Sequence, residues 1–152
     1  MATQYSMGKG LPGGIAANTP PLQLRTGRNA EESDGLQFGY AVALGDDPQG
    51  AIIPADSTDK IIGVVNQNHQ TANDYIEPNE EFAYLAKGDV FVVTAGGVSP
   101  DEPVYVHTKG GGTNAGKFGT ASEGTDSVLL SDSRWLDETD AAGIAKLSLT
   151  IY

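Results

Sequence analysis

The sequence predicts an all-β fold, either an antiparallel β-sandwich or a small β-barrel, with an extended N-terminal arm. Three observations support this fold class. Short apolar segments with period-two alternation are separated by turn residues, Gly and Pro are frequent at 20 and 8 of 152 residues, and the connections are too short for crossover helices. The chain has the length of one domain. We divide it into an arm over residues 1–34 and a body over residues 35–152.

The predicted arm is poor in residues that form regular structure. Its glycines and the pair Pro20-Pro21 disfavour a continuous helix or strand. Its first 30 residues also differ in charge from the rest of the chain, because they carry three basic residues and all 20 acidic residues come after residue 30. We predict that the arm binds a partner through its basic and spaced apolar side chains, which are Lys9, Leu11, Ile15, Leu22, Leu24, Arg25 and Arg28. A disordered tail or a cloning remnant is the alternative interpretation.

Most of the predicted body consists of short strands joined by turns. Phe82–Ala86 and Val90–Thr94 are expected to be antiparallel neighbours, because Lys87-Gly88-Asp89 makes a tight link. Thr108–Gly116 is predicted as a mobile loop, and Leu136–Ala142 as a brief helix. The other strands are predicted at Phe38–Leu44, Ile61–Val65, Val104–Val106, Lys117–Thr120, Val128–Ser131 and Lys146–Tyr152.

The composition argues against several classes of function. Because the chain has no cysteine, it offers neither disulfides nor thiolate chemistry, which fits synthesis in a reducing cytoplasm. No apolar run reaches the about 18 residues of a membrane span, and the N-terminus lacks a secretory signal, so no membrane partner is expected. The net charge of −11 disfavours nucleic-acid binding, since phosphates would be repelled.

No arrangement of residues indicates catalysis, a cofactor or a metal. Gly8–Gly13 has the glycine spacing of a dinucleotide-binding loop, but it contains Pro12 and no strand precedes it. His69 and His107 are interpreted as surface or strand-face residues, because zinc would need further ligands from elsewhere. Ser99 lacks the second glycine of a nucleophile elbow. We therefore expect no enzyme, no cofactor and no metal site.

Acidic and aromatic residues leave two alternatives open. Trp135 and Tyr105 are interpreted as core or subunit-interface residues, with a sugar-binding platform as the alternative. Adjacent acids are interpreted as solvated turn charges, although calcium between subunits remains an alternative. These acid pairs are Asp46-Asp47, Glu80-Glu81, Asp101-Glu102 and Asp137-Glu138.

Three parts of the body resemble bacteriophage capsid cement proteins, also called head decoration proteins. The central part is Gly88–Val106, a strand that ends in small residues and is followed by a turn and a second strand. Asp101-Glu102 stands here where that family typically has a Gly-Asp type of dipeptide. Asp59–Val65 resembles a strand of the family, and Ser133–Leu136 with Lys146–Leu149 resembles its C-terminal segment. The resemblance covers about residues 35–152.

This resemblance implies a small barrel or sandwich without catalytic residues. It implies a homotrimer on the exterior of the virion that is made in the host cytoplasm, binds the major capsid protein, bridges its subunits and stabilises the head. Removal of residues 1–30 is then expected to leave a folded oligomer that no longer stays on capsids. The alternative function is a carbohydrate- or receptor-binding module of a phage tail or surface assembly. A trimeric enzyme for a small anionic substrate is disfavoured by the acidic body.

Overall fold

The computed structural model describes residues 11–16, 22–67 and 75–151. Within these ranges the regular structure is almost entirely β, as the alternating apolar patterns predict. Two 3₁₀ helices, Lys109–Asn114 and Gly124–Asp126, connect the later strands. The strands are β1 (Gln23–Asn29), β2 (Leu36–Gln37), β3 (Ala41–Leu44), β4 (Gly50–Ile52), β5 (Ile61–Val65), β6 (Tyr75–Ile76), β7 (Glu81–Thr94), β8 (Tyr105–His107), β9 (Phe118–Gly119), β10 (Ser127–Leu129), β11 (Arg134–Trp135) and β12 (Gly143–Thr150).

Five of these strands form a closed ring. β1, β4, β3, β5 and β7 are hydrogen-bonded in this order, and an additional pairing of β1 with β7 closes the path. Most pairings are antiparallel, but β1 with β4 and β7 with β9 are parallel. The predicted all-β fold is confirmed in its barrel form, with a mixed instead of a purely antiparallel sheet. β2 and β6 form a separate two-stranded ribbon.

β7 is a single strand of 14 residues, and its first and second parts pair with different strands. It pairs antiparallel with β1 as far as Lys87, and with β12 from Lys87 onward. The prediction of two short strands with a tight turn at Lys87-Gly88-Asp89 is therefore wrong. Gly88 has a φ of 137°, a conformation that glycine adopts without a steric penalty, so the strand continues through the change of partner.

The predicted strand Phe38–Leu44 is shorter in the structure, where only Ala41–Leu44 is a strand. Gly39 interrupts it with a φ of 80°. The Gly39 N–H donates to the Val65 carbonyl at 3.0 Å, so the chain turns here to cover the end of β5. Strands close to the predicted positions are present at β5, β8, β9, β10 and β12.

Two predictions for the loops also differ from the structure. Leu136–Ala142 contains no helix; Thr139 instead forms an antiparallel bridge with Val98. The predicted loop Thr108–Gly116 contains the first 3₁₀ helix. Leu136–Ala142 forms short β contacts instead of a helix, because an isolated helix of two turns has only marginal stability in water without packing.

Strand alternation produces two buried apolar clusters. The first contains Trp135, which is fully buried, donates its indole N–H to the Pro103 carbonyl at 3.1 Å and packs edge to face on Phe118. The second joins Leu36 and Ile76 of the ribbon to the ring strands. Each large apolar side chain buried in this way contributes roughly 1.5–3 kcal/mol, so these clusters hold the ribbon and the barrel together.

The boundary predicted after residue 34 does not coincide with a break between elements. β1 lies within residues 1–34, yet it is one of the five ring strands. Residues 11–16 also contact the body, because Ile15 forms a β-bridge with Val90. Whether the chain divides into an arm and a body at residue 34 stays a prediction, and a deletion of residues 1–30 would remove β1 from the barrel.

Candidate interaction surface

β1 has an open edge over most of its length. One side of the strand pairs with β7 from Gln23 to Arg28. On the other side only Arg28 and Asn29 pair with β4. Among the described residues, no strand lies beside the outer edge of residues 23–27. Backbone N–H and C=O groups on such an edge are able to pair with an added strand.

The open part of β1 also exposes apolar side chains. Residues 23–26 are all exposed, and Leu22 and Leu24 are 39% and 47% exposed. Leu22 lies just before β1 and Leu24 within it, and the pairing with β7 has a register irregularity between Gln23 and Leu24. Arg25 follows Leu24 in the strand and points to the opposite face. Adjacent exposed leucines beside an open edge are typical of a contact surface, whereas single exposed leucines are not.

Arg28, at the other end of β1, is occupied within its own subunit. Its Nη2 lies 2.7 Å from Asp47 Oδ2, and its Nη1 donates to Asn79 Oδ1 at 3.3 Å. A backbone hydrogen bond from Gln49, together with Arg28, holds the pKa of Asp47 below its ordinary value. Arg25 has no ion pair with any described residue. The two arginines predicted to act together therefore differ: Arg25 is available on the surface and Arg28 positions the strand.

Asn29 anchors the C-terminal end of β1 in the body. It is fully buried, and its Nδ2 donates to the carbonyls of Asp34 at 3.0 Å and Ile76 at 2.9 Å. Its Oδ1 accepts the Glu31 N–H at 2.9 Å. These bonds give both the Nδ2 and the Oδ1 of the buried Asn29 side chain hydrogen-bond partners. β1 is therefore fixed at one end and exposed at the other.

Residues 11–16 follow β7 at close range. The Gly13 N–H donates to the Phe91 carbonyl at 2.8 Å, and the Phe91 N–H donates to the Gly14 carbonyl at 3.0 Å. Gly13 has a φ of 75°, and a Cβ at this position would lie 2.3 Å from the Val65 carbonyl oxygen. Only glycine fits this approach, which explains one of the glycines of the predicted arm.

The structure separates the other residues predicted to bind a partner. Ile15 is partly buried against the body. Leu11 is 58% exposed and lines a surface cleft of about 370 Å³ with Phe38 and Tyr40. Lys9 lies outside the described residues. The candidate surface therefore consists of Leu22, just before β1, and of Leu24 and Arg25 on β1, with Leu11 on a separate cleft.

A second cleft, of about 550 Å³, lies between the ribbon, β3 and the first 3₁₀ helix. Near it, Lys109 Nζ lies 3.1 Å from Glu31 Oε1. Burial raises the pKa of Tyr40, which lines this cleft. The described lining contains no Cys, His or Ser, so it offers no Ser–His or Cys–His pair of a nucleophile and a base.

In two of the predicted acidic turns, hydrogen bonds favour the charged form of one carboxylate, Asp47 in the first and Asp101 in the second. Ser99 Oγ donates to Asp101 Oδ1 at 2.6 Å, and this bond lowers the pKa of Asp101. A general acid at neutral pH needs a raised pKa, so Asp101 and Asp47 fit structural roles in turns. No group of three or more His, Asp or Glu residues is arranged for a metal within 11–16, 22–67 and 75–151. No helix in those ranges has the length and apolarity to span a membrane.

The aromatic residues occupy the core more than the surface. Trp135 is fully buried and its indole N–H is satisfied, so a sugar platform that uses this residue is excluded. Tyr105 is partly exposed on β8. His69 and part of the Gly8–Gly13 motif lie outside the described residues. The interpretation of Trp135 as a core residue is confirmed.

Sequence reasoning missed other exposed apolar residues. Leu129 on β10 is 50% exposed and Leu44 on β3 is 40% exposed. A signal for Leu129 was present, because Val128 and Leu130 flank it and alternate residues of a strand face opposite sides. Both flanking residues pack on the first cluster, so Leu129 must point away from it.

The fold defines a small β-barrel protein with an open strand edge, exposed leucines beside it and no assembled catalytic site among its described residues. The fold is similar to that of a chain in the capsid of Myoviridae phage XM1, with a TM-score of 0.74 and 17% sequence identity over 98% of this chain and 95% of that chain. A comparison with curated proteins gives no match.

The phage structural cement protein family, exemplified by E217 gp24 and Pam3 gp6, matches residues 1–150. The chain belongs to this family. The resemblance found in its strands and turns is thus confirmed, and the family is one of structural phage proteins, not of enzymes. Family membership assigns the chain a structural role in a phage capsid and therefore a location in the virion.

Proposed function

We propose that this protein binds the outside of a phage capsid, bridges neighbouring major capsid subunits and thereby stabilises the head. The open edge of β1 with its exposed leucines is the observation that carries the proposal. Membership in a structural cement family supports a binding role. The net charge of −11 argues against nucleic acid as the partner, and the proposal includes no membrane.

The partner-binding residues in this proposal are those of the predicted arm. Leu22, Leu24 and Arg25 bind from a strand that is already ordered, so their contacts do not have to offset about 1–2 kcal/mol of backbone entropy per residue. Burial of an exposed leucine contributes up to roughly 1.5–3 kcal/mol. The set is completed by Lys9, Leu11, Ile15 and Arg28.

A homotrimer would strengthen binding without new contacts. Linked copies rebind at high effective concentration, and this effect increases avidity by about 10²–10⁴. Light scattering coupled to size exclusion should then report three times the chain mass of 15.8 kDa. A monomer at capsid-relevant concentrations would contradict this part of the proposal.

Capsid binding by β1 is tested with the double variant Leu22→Ser/Leu24→Ser. Serine keeps the exposed strand but removes the apolar contact, so we expect at least about tenfold weaker co-sedimentation with assembled capsids. Leu129→Ser is the matched control, because Leu129 is exposed to a similar extent on a different strand. Equal binding by the double variant, or equal loss in the control, would contradict a role of β1.

A second test concerns the first ten residues. A chain that begins at Leu11 keeps β1 and the contacts of residues 11–16, unlike a deletion of residues 1–30. We expect it to fold normally and to lose head stabilisation in a heat-release assay of capsids. Full protection of heads by the shortened chain would remove Lys9 from the binding set.

A further inference from the structure

The open part of β1 presents a defined set of main-chain groups. The Arg28 N–H donates to the Gln49 carbonyl at 2.9 Å, so it points to the outer edge of the strand. In an antiparallel pair, the N–H and C=O groups of successive residues point alternately towards the partner strand and away from it. Leu24 and Thr26 therefore direct these groups outward, whereas Arg25 directs its own towards β7.

A hydrogen bond on the far side of β7 indicates the same directions. The Asn66 N–H donates to the Ala83 carbonyl at 3.0 Å. Ala83 is the partner of Thr26 in the sheet, and its carbonyl thus points away from β1. Opposite residues of an antiparallel pair either exchange both main-chain bonds or direct these groups away from each other. The N–H and C=O groups of Thr26 therefore face the outer edge.

A turn before β4 explains why this edge stays open. The Gln49 N–H is the next donor of that chain beside β1, but it donates to Asp47 Oδ1 at 3.0 Å. The Gly50 N–H donates to the Asp47 carbonyl at 2.8 Å. The chain before Gly50 is thus held in a turn instead of continuing along β1. No described residue forms a main-chain hydrogen bond with the outward groups of Leu24 and Thr26.

The side chains beside these groups determine which segment fits the edge. Leu24 is 47% exposed on one face of β1. Arg25 lies on the opposite face and has no ion pair with any described residue. An added strand would place an apolar side chain next to Leu24 and an acidic one next to Arg25. Because successive residues of a strand face opposite sides, a fitting segment alternates apolar and acidic residues.

We propose that an extended segment of the major capsid protein, with alternating apolar and acidic residues, adds a strand to the outer edge of β1 at Leu24 and Thr26. This contact rests on the proposed capsid binding and specifies its geometry. The N–H and C=O groups of both residues supply the hydrogen bonds, so the barrel need not rearrange. A second copy of β1 is disfavoured here, because the antiparallel register that uses both residues places two Arg25 side chains opposite each other.

The test measures hydrogen–deuterium exchange of single amides by NMR, in the isolated protein and after exchange on assembled capsids. In the isolated protein, the outward amides of Leu24 and Thr26 should exchange at least about tenfold faster than the inward amides of Arg25 and Gly27. On capsids, exchange at Leu24 and Thr26 should slow at least about tenfold.

The outcomes of this measurement separate the strand addition from capsid binding itself. Retention on capsids without protection of the two outward amides would overturn the strand addition and leave capsid binding intact. Failure to bind capsids at all would overturn both. Protection of the same amides in the isolated protein that increases with its concentration would assign the edge to a second copy and overturn the proposed partner.

A variant of the outer edge provides the second test. Thr26→Pro removes the outward N–H and leaves every bond to β7 in place, so we expect a folded barrel with at least about tenfold weaker co-sedimentation with capsids. Thr26→Val is the matched control, because it keeps the N–H and should bind normally. Normal binding by Thr26→Pro, or an equal loss in Thr26→Val, would overturn the strand addition. If Thr26→Pro fails to fold, the exchange measurement decides.

Discussion

β1 and β12 pair with the same strand in the same antiparallel sense, but they differ in what covers them. β12 pairs with β7 from Gly143 to Thr150, and β11 pairs with it on its other edge. Every second residue of β12 from Ala145 to Leu149 is buried. β1 pairs with β7 over a similar length, yet four consecutive residues of it are exposed and its outer edge meets β4 only at the end.

The difference shows that pairing in a sheet and burial in the core are separate properties. β12 is paired with β11 on its other edge, and its buried residues pack in the cluster around Trp135. Residues 23–26 receive no comparable cover from any described residue. β1 is thus held by its hydrogen bonds and by Asn29, and its Leu24 stays exposed. Variants in the two strands should separate stability from binding.

The largest contrast is expected between Leu147→Ala and Leu24→Ala. Leu147 on β12 is fully buried and Leu24 on β1 is 47% exposed. Truncation of Leu147 should reduce the free energy of unfolding by about 2–5 kcal/mol, and truncation of Leu24 by less than about 0.5 kcal/mol. Urea unfolding measures both values. A cost above about 1 kcal/mol for Leu24→Ala would mean that this leucine is buried within its own subunit.

A somewhat smaller effect is expected at the anchored end of β1. Asn29→Ala leaves two backbone carbonyls and one N–H without the partners that the amide supplies. We expect a loss of about 2–3 kcal/mol in urea unfolding, because buried groups remain unsatisfied. Gln23→Ala at the exposed end is the control and should change stability by less than about 0.5 kcal/mol. Equal costs at both ends would contradict the asymmetry of the strand.

The smallest effect is expected from the ion pair between Arg28 and Asp47. The pKa of Asp47 is lowered in the folded protein. The stabilisation that comes from its charged carboxylate is therefore fully present above the unfolded pKa of about 3.9, and it is lost as the pH falls through the folded pKa. Asp47→Asn should lower Tm by roughly 1–2 °C at pH 6, and the difference should vanish near pH 2. Asp46→Asn changes the same charge next to it and is the control. A difference that persists at pH 2 would exclude the ion pair as the cause.

Local patterns predicted the strands well where one apolar run corresponds to one pairing. Ile61–Val65 is a strand with the predicted bounds. The pattern failed at Gly88, because a glycine between two apolar runs is typical of a turn and equally typical of a strand that bends. It also failed at Gly39, where the interruption depends on a hydrogen bond to Val65. Such contacts join residues far apart in the chain and leave no local signal.

The candidate surface was predicted in part. The basic and apolar character of residues 22–25 is visible in the sequence, and these residues are exposed at the start of β1 and just before it. The internal role of Arg28 was not predictable, because Asp47 reaches it through the pairing of β1 with β4.

The direction of β1 relative to β7 also determines how the subunit resists force. The hydrogen bonds of an antiparallel pair cross the strands at right angles. A pull along β1 therefore loads its bonds to β7 in shear, so that they share the load and do not open one after another. Because β7 continues past Lys87 alongside β12, tension that enters at the surface strand is carried into the most deeply packed part of the protein.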